Sequence, residues 1–127
     1  MTAMLEHTNY SVKDPHKTAA WMQNVFGWRI RWEGSAMNGA GYTVHVGTKD
    51  RYVALYAQSA NTPSQEDNYQ TIGSLNHIGI VVSDLAAVEE NVKAAGFEPF
   101  NHADYEPGQR FYFFDQDKIE YEVVCYA

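Results

Sequence analysis

Two stretches decide how this chain is read. Leu5-Glu6-His7-Thr8-Asn9-Tyr10-Ser11-Val12-Lys13-Asp14 is answered by Leu75-Asn76-His77-Ile78-Gly79-Ile80-Val81-Val82-Ser83-Asp84, and the two agree at Leu, His, Val and Asp with a constant offset of 70 residues. A repeat of that period in 127 residues divides the chain into two halves of one plan. After each copy comes a helical pattern. Asp14 and Pro15 suit the N-cap and first helical positions, and Gly27 closes that run. Asp84 opens the second, in which Leu85, Val88, Val92 and Ala95 form one apolar stripe before Gly96. Three strand-like runs rich in aromatic and β-branched residues then follow each helix: Trp28 to Trp32, Gly41 to Val46 and Tyr52 to Tyr56, and later Phe97 to Phe100, Arg110 to Phe114 and Ile119 to Tyr126. Each half reads βαβββ, so the fold class is α+β. The aperiodic stretch Gln58 to Ser74 is the expected linker, which gives one domain over 1–127 with module 1 at about 1–57 and module 2 at about 75–127. A half of about 60 residues cannot bury both faces of a four-stranded sheet, so the two sheets are expected to cover each other or those of a partner chain.

Composition narrows the function. Lys and Arg number 9 against 16 Asp and Glu, a formal charge of -7, which offers no electrostatic footprint for nucleic acid or anionic lipid. The longest aliphatic stretch, Ile78 to Val82, is far short of a membrane helix, and no charged-then-apolar signal segment opens the sequence. Neither nucleic acid nor a membrane is expected as a partner. The single cysteine, Cys125, excludes an internal disulfide and a thiolate-rich zinc site and suits a reducing compartment, so a cytoplasmic protein is expected. Nine Tyr, six Phe and three Trp suggest a well-filled core and a ring-lined cavity.

Strand alternation places His7 on one face with Leu5, Asn9 and Ser11, and His77 with Gly79 and Val81, opposite the greasier sets that belong under the helices. In the last strand Glu120, Glu122 and Val124 share one face. Two imidazoles and a carboxylate on faces turned away from the helices make the two-His, one-carboxylate arrangement that binds a divalent cation and leaves positions open for substrate. Parity cannot choose between Glu120 and Glu122. His16, His45 and His102 have no repeat partner and are not selected. Tyr56 is a candidate acid or hydrogen-bond donor. Tyr52 and Tyr56, with Arg110, Tyr112 and Phe114, either line a substrate pocket or fill the core. Ser64 to Tyr69 reads as a solvated loop.

The paired Leu-x-His-(x)4-Val-x-Asp openings, Val25-Phe26-Gly27-Trp28 at the first helix end, and the closing Phe113-Phe114-Asp115-Gln116-Asp117-Lys118-Ile119-Glu120-Tyr121-Glu122-Val123-Val124 together resemble the vicinal oxygen chelate superfamily. That superfamily holds glyoxalase I, bleomycin-resistance proteins, fosfomycin-resistance thiol transferases and extradiol dioxygenases. The resemblance implies two βαβββ modules forming a curled eight-stranded sheet around a cleft with a divalent ion, whether iron, manganese, zinc or nickel. It also implies His7, His77 and Glu122 as metal ligands, Glu122 taking the ligand position in the ungapped closing motif, with Glu122 and Tyr56 as catalytic residues. Substrate-binding residues would be Tyr52, Arg110, Tyr112 and Phe114.

The chain departs from the family pattern in two places. Glyoxalase I takes a fourth ligand, a Glu, from the last strand of its first module, where the inward parity here offers Tyr52, Ala54 and Tyr56. The closing turn carries Gln116 and Lys118 where the family has Pro and Gly. The function expected is a metal-dependent lyase, transferase or dioxygenase acting on a small oxygen-bearing molecule, not a conventional glyoxalase I. The alternative is a metal-free drug-sequestering protein resembling bleomycin-resistance proteins. A homodimer is expected in either case.

Overall fold

The caps, turns and periods above become, in a computed structural model that describes residues 1–36, 39–63, 67–105 and 108–126, two units spanning Met1–Thr62 and Pro63–Ala127. The first holds β1 (His7–Ser11), α1 (Pro15–Phe26), β2 (Arg29–Ala36), β3 (Gly41–Gly47) and β4 (Tyr52–Gln58). The second repeats the order with β5 (Ile78–Val81), α2 (Leu85–Ala94), β6 (Phe100–Tyr105), β7 (Gly108–Phe114) and β8 (Glu120–Cys125). The eight strands form two four-stranded sheets, ordered β1-β4-β3-β2 and β5-β8-β7-β6. In each, the first strand runs parallel to the last and the other pairings are antiparallel.

Local chemistry explains the elements. Asp14 and Asp84 cap their helices, each accepting a backbone N–H at 3.1 Å, from Lys17 and Ala87. Gly27, at φ 73°, ends α1 in the left-handed region, and its N–H donates to Gln23 O. α2 ends differently. Gly96 N–H donates to Lys93 O and Phe97 N–H to Val92 O, the paired bonds of a Schellman turn, with Gly96 at φ 95°. That turn takes up Phe97, so the first run after α2 begins at Phe100 rather than at Phe97; the Phe97 ring lies on Phe113 instead. β2 likewise extends beyond Trp32 to Ala36, because the β2–β3 pairing runs on from Glu33–Val44 to Ala36–Gly41.

Alternation sorts the strands as their sequence predicts. Tyr10, Val12, Val44, Val46, Val53 and Leu55 are buried on the side where α1 packs with Ala19, Met22 and Val25, while His7, Asn9 and Ser11 are exposed. In the second unit Ile80, Phe111, Phe113, Tyr121 and Val123 are buried, and Gly79 and Val81 are exposed. Among the described residues no helix is long and apolar enough to cross a membrane.

Candidate functional site

β8 lies between β5 and β7, so Glu122 stands opposite Gly79 on one side and Tyr112 on the other. Its carboxylate is divided between two partners. Oε1 faces His77 Nε2 at 3.1 Å, and Oε2 accepts from Arg110 Nη1 at 2.9 Å. The Glu122 and Arg110 side chains are only 13% and 11% exposed, so removing either would leave the other charge poorly solvated, at a cost of about 3–5 kcal/mol. The Tyr112 ring meets the His77 ring edge-on, with centroids 6.0 Å apart.

Both nitrogens of His77 face oxygens, since Nδ1 also lies 2.7 Å from Asn76 Oδ1. With a proton on Nδ1 directed at Asn76, the Nε2 lone pair confronts a carboxylate oxygen, an arrangement that holds only with a proton or a cation between them. Imidazole with carboxylate is the donor chemistry of manganese, iron, nickel and zinc. On this test His77 and Glu122 fit two ligands of a divalent ion. Among the described residues no three of His, Cys, Asp and Glu are gathered into a metal-holding group.

Glu120 shares a face with Glu122 but has different company. It is 2% exposed, accepts from Asn68 Nδ2 at 3.1 Å, and also accepts from the Tyr69 hydroxyl. Asn68 Nδ2 donates to Asn76 O as well. Burial, then the bond to Glu120, pushes the Tyr69 phenol well above its ordinary pKa. The loop expected to be solvated is exposed at Asp67 and Tyr69, while its Asn68 amide and Tyr69 hydroxyl reach β8 at Glu120; Ser64, Gln65 and Glu66 lie outside the described residues.

The register of β8 is held by its turn. Asp115 Oδ1 accepts from Asp117 N at 2.8 Å and Ile119 N at 3.1 Å, and Oδ2 from the Tyr121 hydroxyl at 3.1 Å. Burial nevertheless outweighs these donors and raises the Asp115 carboxyl to about 6. Lys118, where the family has Gly, sits at φ 63°, so the turn keeps the left-handed backbone that Gly would favour.

In the first unit the face bearing His7 carries a row of rings. His7 stacks on Tyr52 with centroids 4.8 Å apart, Tyr52 on His45 at 4.7 Å, and Trp32 meets His45 edge-on at 5.2 Å. The Arg31 guanidinium lies 4.4 Å from the Tyr52 ring centre. Burial first, and then the neighbouring His7 and Arg31, hold the His45 imidazole below its ordinary pKa. His7 Nδ1 donates to Glu6 Oε1 at 2.8 Å. Ala54 and Tyr56 pair with Asn9 and Ser11, so no carboxylate occupies that side of β4. The Tyr56 oxygen accepts from Gln58 Nε2 at 2.7 Å.

Of the residues singled out by sequence, His77, Glu122, Arg110 and Tyr112 come together in the second unit, and His7 with Tyr52 in the first. Tyr56 lies two residues along β4 from Ala54, and Phe114 stacks on Phe100 with centroids 5.2 Å apart. Sequence reasoning passed over Glu6 and Asn76, which meet the two histidines, and Asn68, Tyr69, His45, Arg31 and Trp32. Position offered a signal for the first two, each directly before a repeated His.

A family model described as Glyoxalase/Bleomycin resistance protein/Dioxygenase superfamily matches residues 4–123. No curated protein matches the sequence. Solved structures share the fold. A glyoxylase/bleomycin resistance protein/dioxygenase domain from Frankia sp. EAN1pec superposes with a TM-score of 0.83 at 18% identity, covering 100% of each chain. The fosfomycin resistance protein FosX from Listeria monocytogenes, complexed with Mn(II) and sulfate, gives 0.75 at 23% identity over 98% of this chain and 93% of that one. A mutant of the same FosX, complexed with Mn(II) and 1S,2S-dihydroxypropylphosphonic acid, gives 0.75 at 23% identity over 98% and 90%.

Proposed function

The chain belongs to the Glyoxalase/Bleomycin resistance protein/Dioxygenase superfamily, and on that premise we propose that it is a metal-dependent enzyme acting on a small oxygen-bearing molecule, with His7, His77 and Glu122 as ligands of one divalent ion. The observation that carries this reading is the pair His77 Nε2 and Glu122 Oε1, 3.1 Å apart with Arg110 on the other carboxylate oxygen. His7 enters as the repeat partner of His77. FosX structures holding Mn(II), one with a vicinal diol, support manganese as the first metal to try and adjacent oxygens as the ligand chemistry.

A bound ion supplies Lewis-acid chemistry, polarising a substrate oxygen. The chain's own residues do the rest. Arg110 occupies one oxygen of Glu122, which leaves the other as a single donor. Tyr56 accepts a hydrogen bond from Gln58 and keeps its own phenolic proton to donate to a substrate oxygen. Tyr112 offers a ring beside His77 and Phe114 extends that apolar wall, while Tyr52, already stacked on His7 and His45, would meet a substrate through its edge and hydroxyl. The reading includes a homodimer, since β1, β2, β5 and β6 are edge strands of their sheets and a second copy would cover such edges.

Elemental analysis of protein purified without a histidine tag, followed by calorimetric titration with Mn(II), tests this. One ion per chain, lost in Glu122→Gln, is expected; absence of binding by Mn(II), Fe(II), Ni(II) and Zn(II) would end the metal reading. The row of rings His7, Tyr52, His45 and Trp32 favours a second one, a metal-free protein that sequesters an aromatic molecule. Equal uptake of an aromatic ligand by metal-stripped and metal-loaded protein would select it.

A further inference from the structure

Each of the two repeated histidines meets the side-chain oxygen of the residue before it. Glu6 Oε1 lies 2.8 Å from His7 Nδ1, and Asn76 Oδ1 lies 2.7 Å from His77 Nδ1. The pairs stand at the same 70-residue offset as the repeat, and they differ in charge and residue type while agreeing in geometry. Consecutive residues within a strand point to opposite faces, so such contacts need a break in the alternation. His7 is the first residue of β1 and His77 immediately precedes β5, which places Glu6 and Asn76 just outside their strands, where each side chain can turn back onto the ring.

We propose that Glu6 and Asn76 are positioning residues that hold the proton of His7 and His77 on Nδ1 and so present Nε2 of each ring as the ligand atom. This rests on the metal reading above. A neutral imidazole has one N–H and one lone pair, and an acceptor at one nitrogen decides which of the two is left to bind a metal; at His77 the Asn76 acceptor does so once an ion replaces the proton between Nε2 and Glu122 Oε1. In the second unit the device is itself braced: Asn76 O accepts from Asn68 Nδ2, which also donates to the buried carboxylate of Glu120 at 3.1 Å. Glu120 therefore acts on His77 through Asn68 and Asn76. In the first unit the acceptor is a carboxylate, a stronger one, but it is 58% exposed.

The test compares Asn76→Ala and Glu6→Ala with the acceptor-retaining Asn76→Asp and Glu6→Gln. Two readouts are taken on the full chain: Mn(II) affinity by calorimetry, and the protonation of each ring nitrogen in the metal-free protein by long-range nitrogen–proton correlation spectroscopy. Both wild-type rings should carry a proton on Nδ1. Asn76→Ala should weaken Mn(II) binding by about 10- to 100-fold and Glu6→Ala by about 10-fold, each releasing Nδ1 of its own ring, and the acceptor-retaining variants should stay near wild type. Wild-type rings with Nδ1 unprotonated, or alanine variants unchanged in both readouts, would overturn the proposal. If the wild type binds no Mn(II), the metal reading falls with it, while the ring spectra still decide whether the two acceptors set the tautomer. Thermal unfolding of each variant separates loss of the acceptor from loss of the fold.

Discussion

Replacing Asp115 by Asn should remove a pH dependence that the wild-type protein carries. Burial, the largest influence, raises the Asp115 carboxyl from an ordinary 3.8 to about 6, against the two backbone donors of Ile119 and Asp117 and the Tyr121 hydroxyl. A carboxyl with a raised native pKa keeps its proton where the unfolded chain has released it, so its contribution is full below the unfolded pKa and stability falls as pH rises toward the native one. The difference corresponds to about 3 kcal/mol, lost between about pH 4 and pH 6. Asn at this position is neutral throughout. Its Oδ1 can still accept from Asp117 N and Ile119 N, and its amide can donate to the Tyr121 oxygen in a reversed bond, at a cost of about 1 kcal/mol. Urea unfolding followed by tryptophan fluorescence, in buffers from about pH 4 to pH 8, should therefore show Asp115→Asn below or level with wild type at the acid end and above it by about 1–3 kcal/mol at neutral pH. A difference between the two proteins that does not change with pH, or one that turns in favour of wild type as pH rises, would show that the donors outweigh burial and that the reasoning is wrong.

Glu122→Gln should abolish Mn(II) binding in calorimetry, whereas Glu120→Gln should retain it with weaker affinity and a lower unfolding temperature; the opposite pattern would move the ligand by two residues along β8. Lys118→Gly should raise stability by about 0.5–1 kcal/mol in urea titrations, because the left-handed conformation at φ 63° costs a Lys more than the extra freedom of Gly costs the unfolded chain. The hemithioacetal of methylglyoxal and glutathione should be turned over negligibly with zinc, nickel or manganese supplied, because β4 offers Ala54 and Tyr56 where a carboxylate base would be needed, and a placed base is worth about 10²- to 10⁴-fold. Robust turnover in a coupled ultraviolet assay would mean that another residue acts as that base.

The parts of the fold carried by strong local chemistry were legible in the sequence: Asp14, Asp84 and Gly27 cap as their side chains and backbone require, and alternation in β1, β5 and β8 sends the apolar sets under the helices. What was not legible depended on contacts between distant residues. Phe97 reads as a strand residue by composition, yet the turn closed at Gly96 claims it. Glu120 and Glu122 are equivalent by parity and become distinct only because Asn68 and Tyr69, some 50 residues earlier, reach one of them and His77 and Arg110 the other. Lys118 obscured the closing turn because residue type and backbone conformation disagree there. Glu6 and Asn76 escaped notice because they do not match each other, although each supplies an oxygen in the same place.

The parallel pairing of the first strand of each unit with its last has a consequence in time. The β3–β4 and β7–β8 hairpins join neighbours in sequence and can form quickly, whereas β1 must wait for β4 and β5 for β8, each across a loop of some forty residues whose closure is entropically slow. The strands led by His7 and His77 should thus be the last to dock during folding. Until they do, β4 and β8 present open edges of matching register, and the equivalent strand of another copy can enter as readily as the chain's own. At high concentration, refolding should therefore yield exchanged assemblies in which a candidate ligand histidine has been delivered by the wrong molecule.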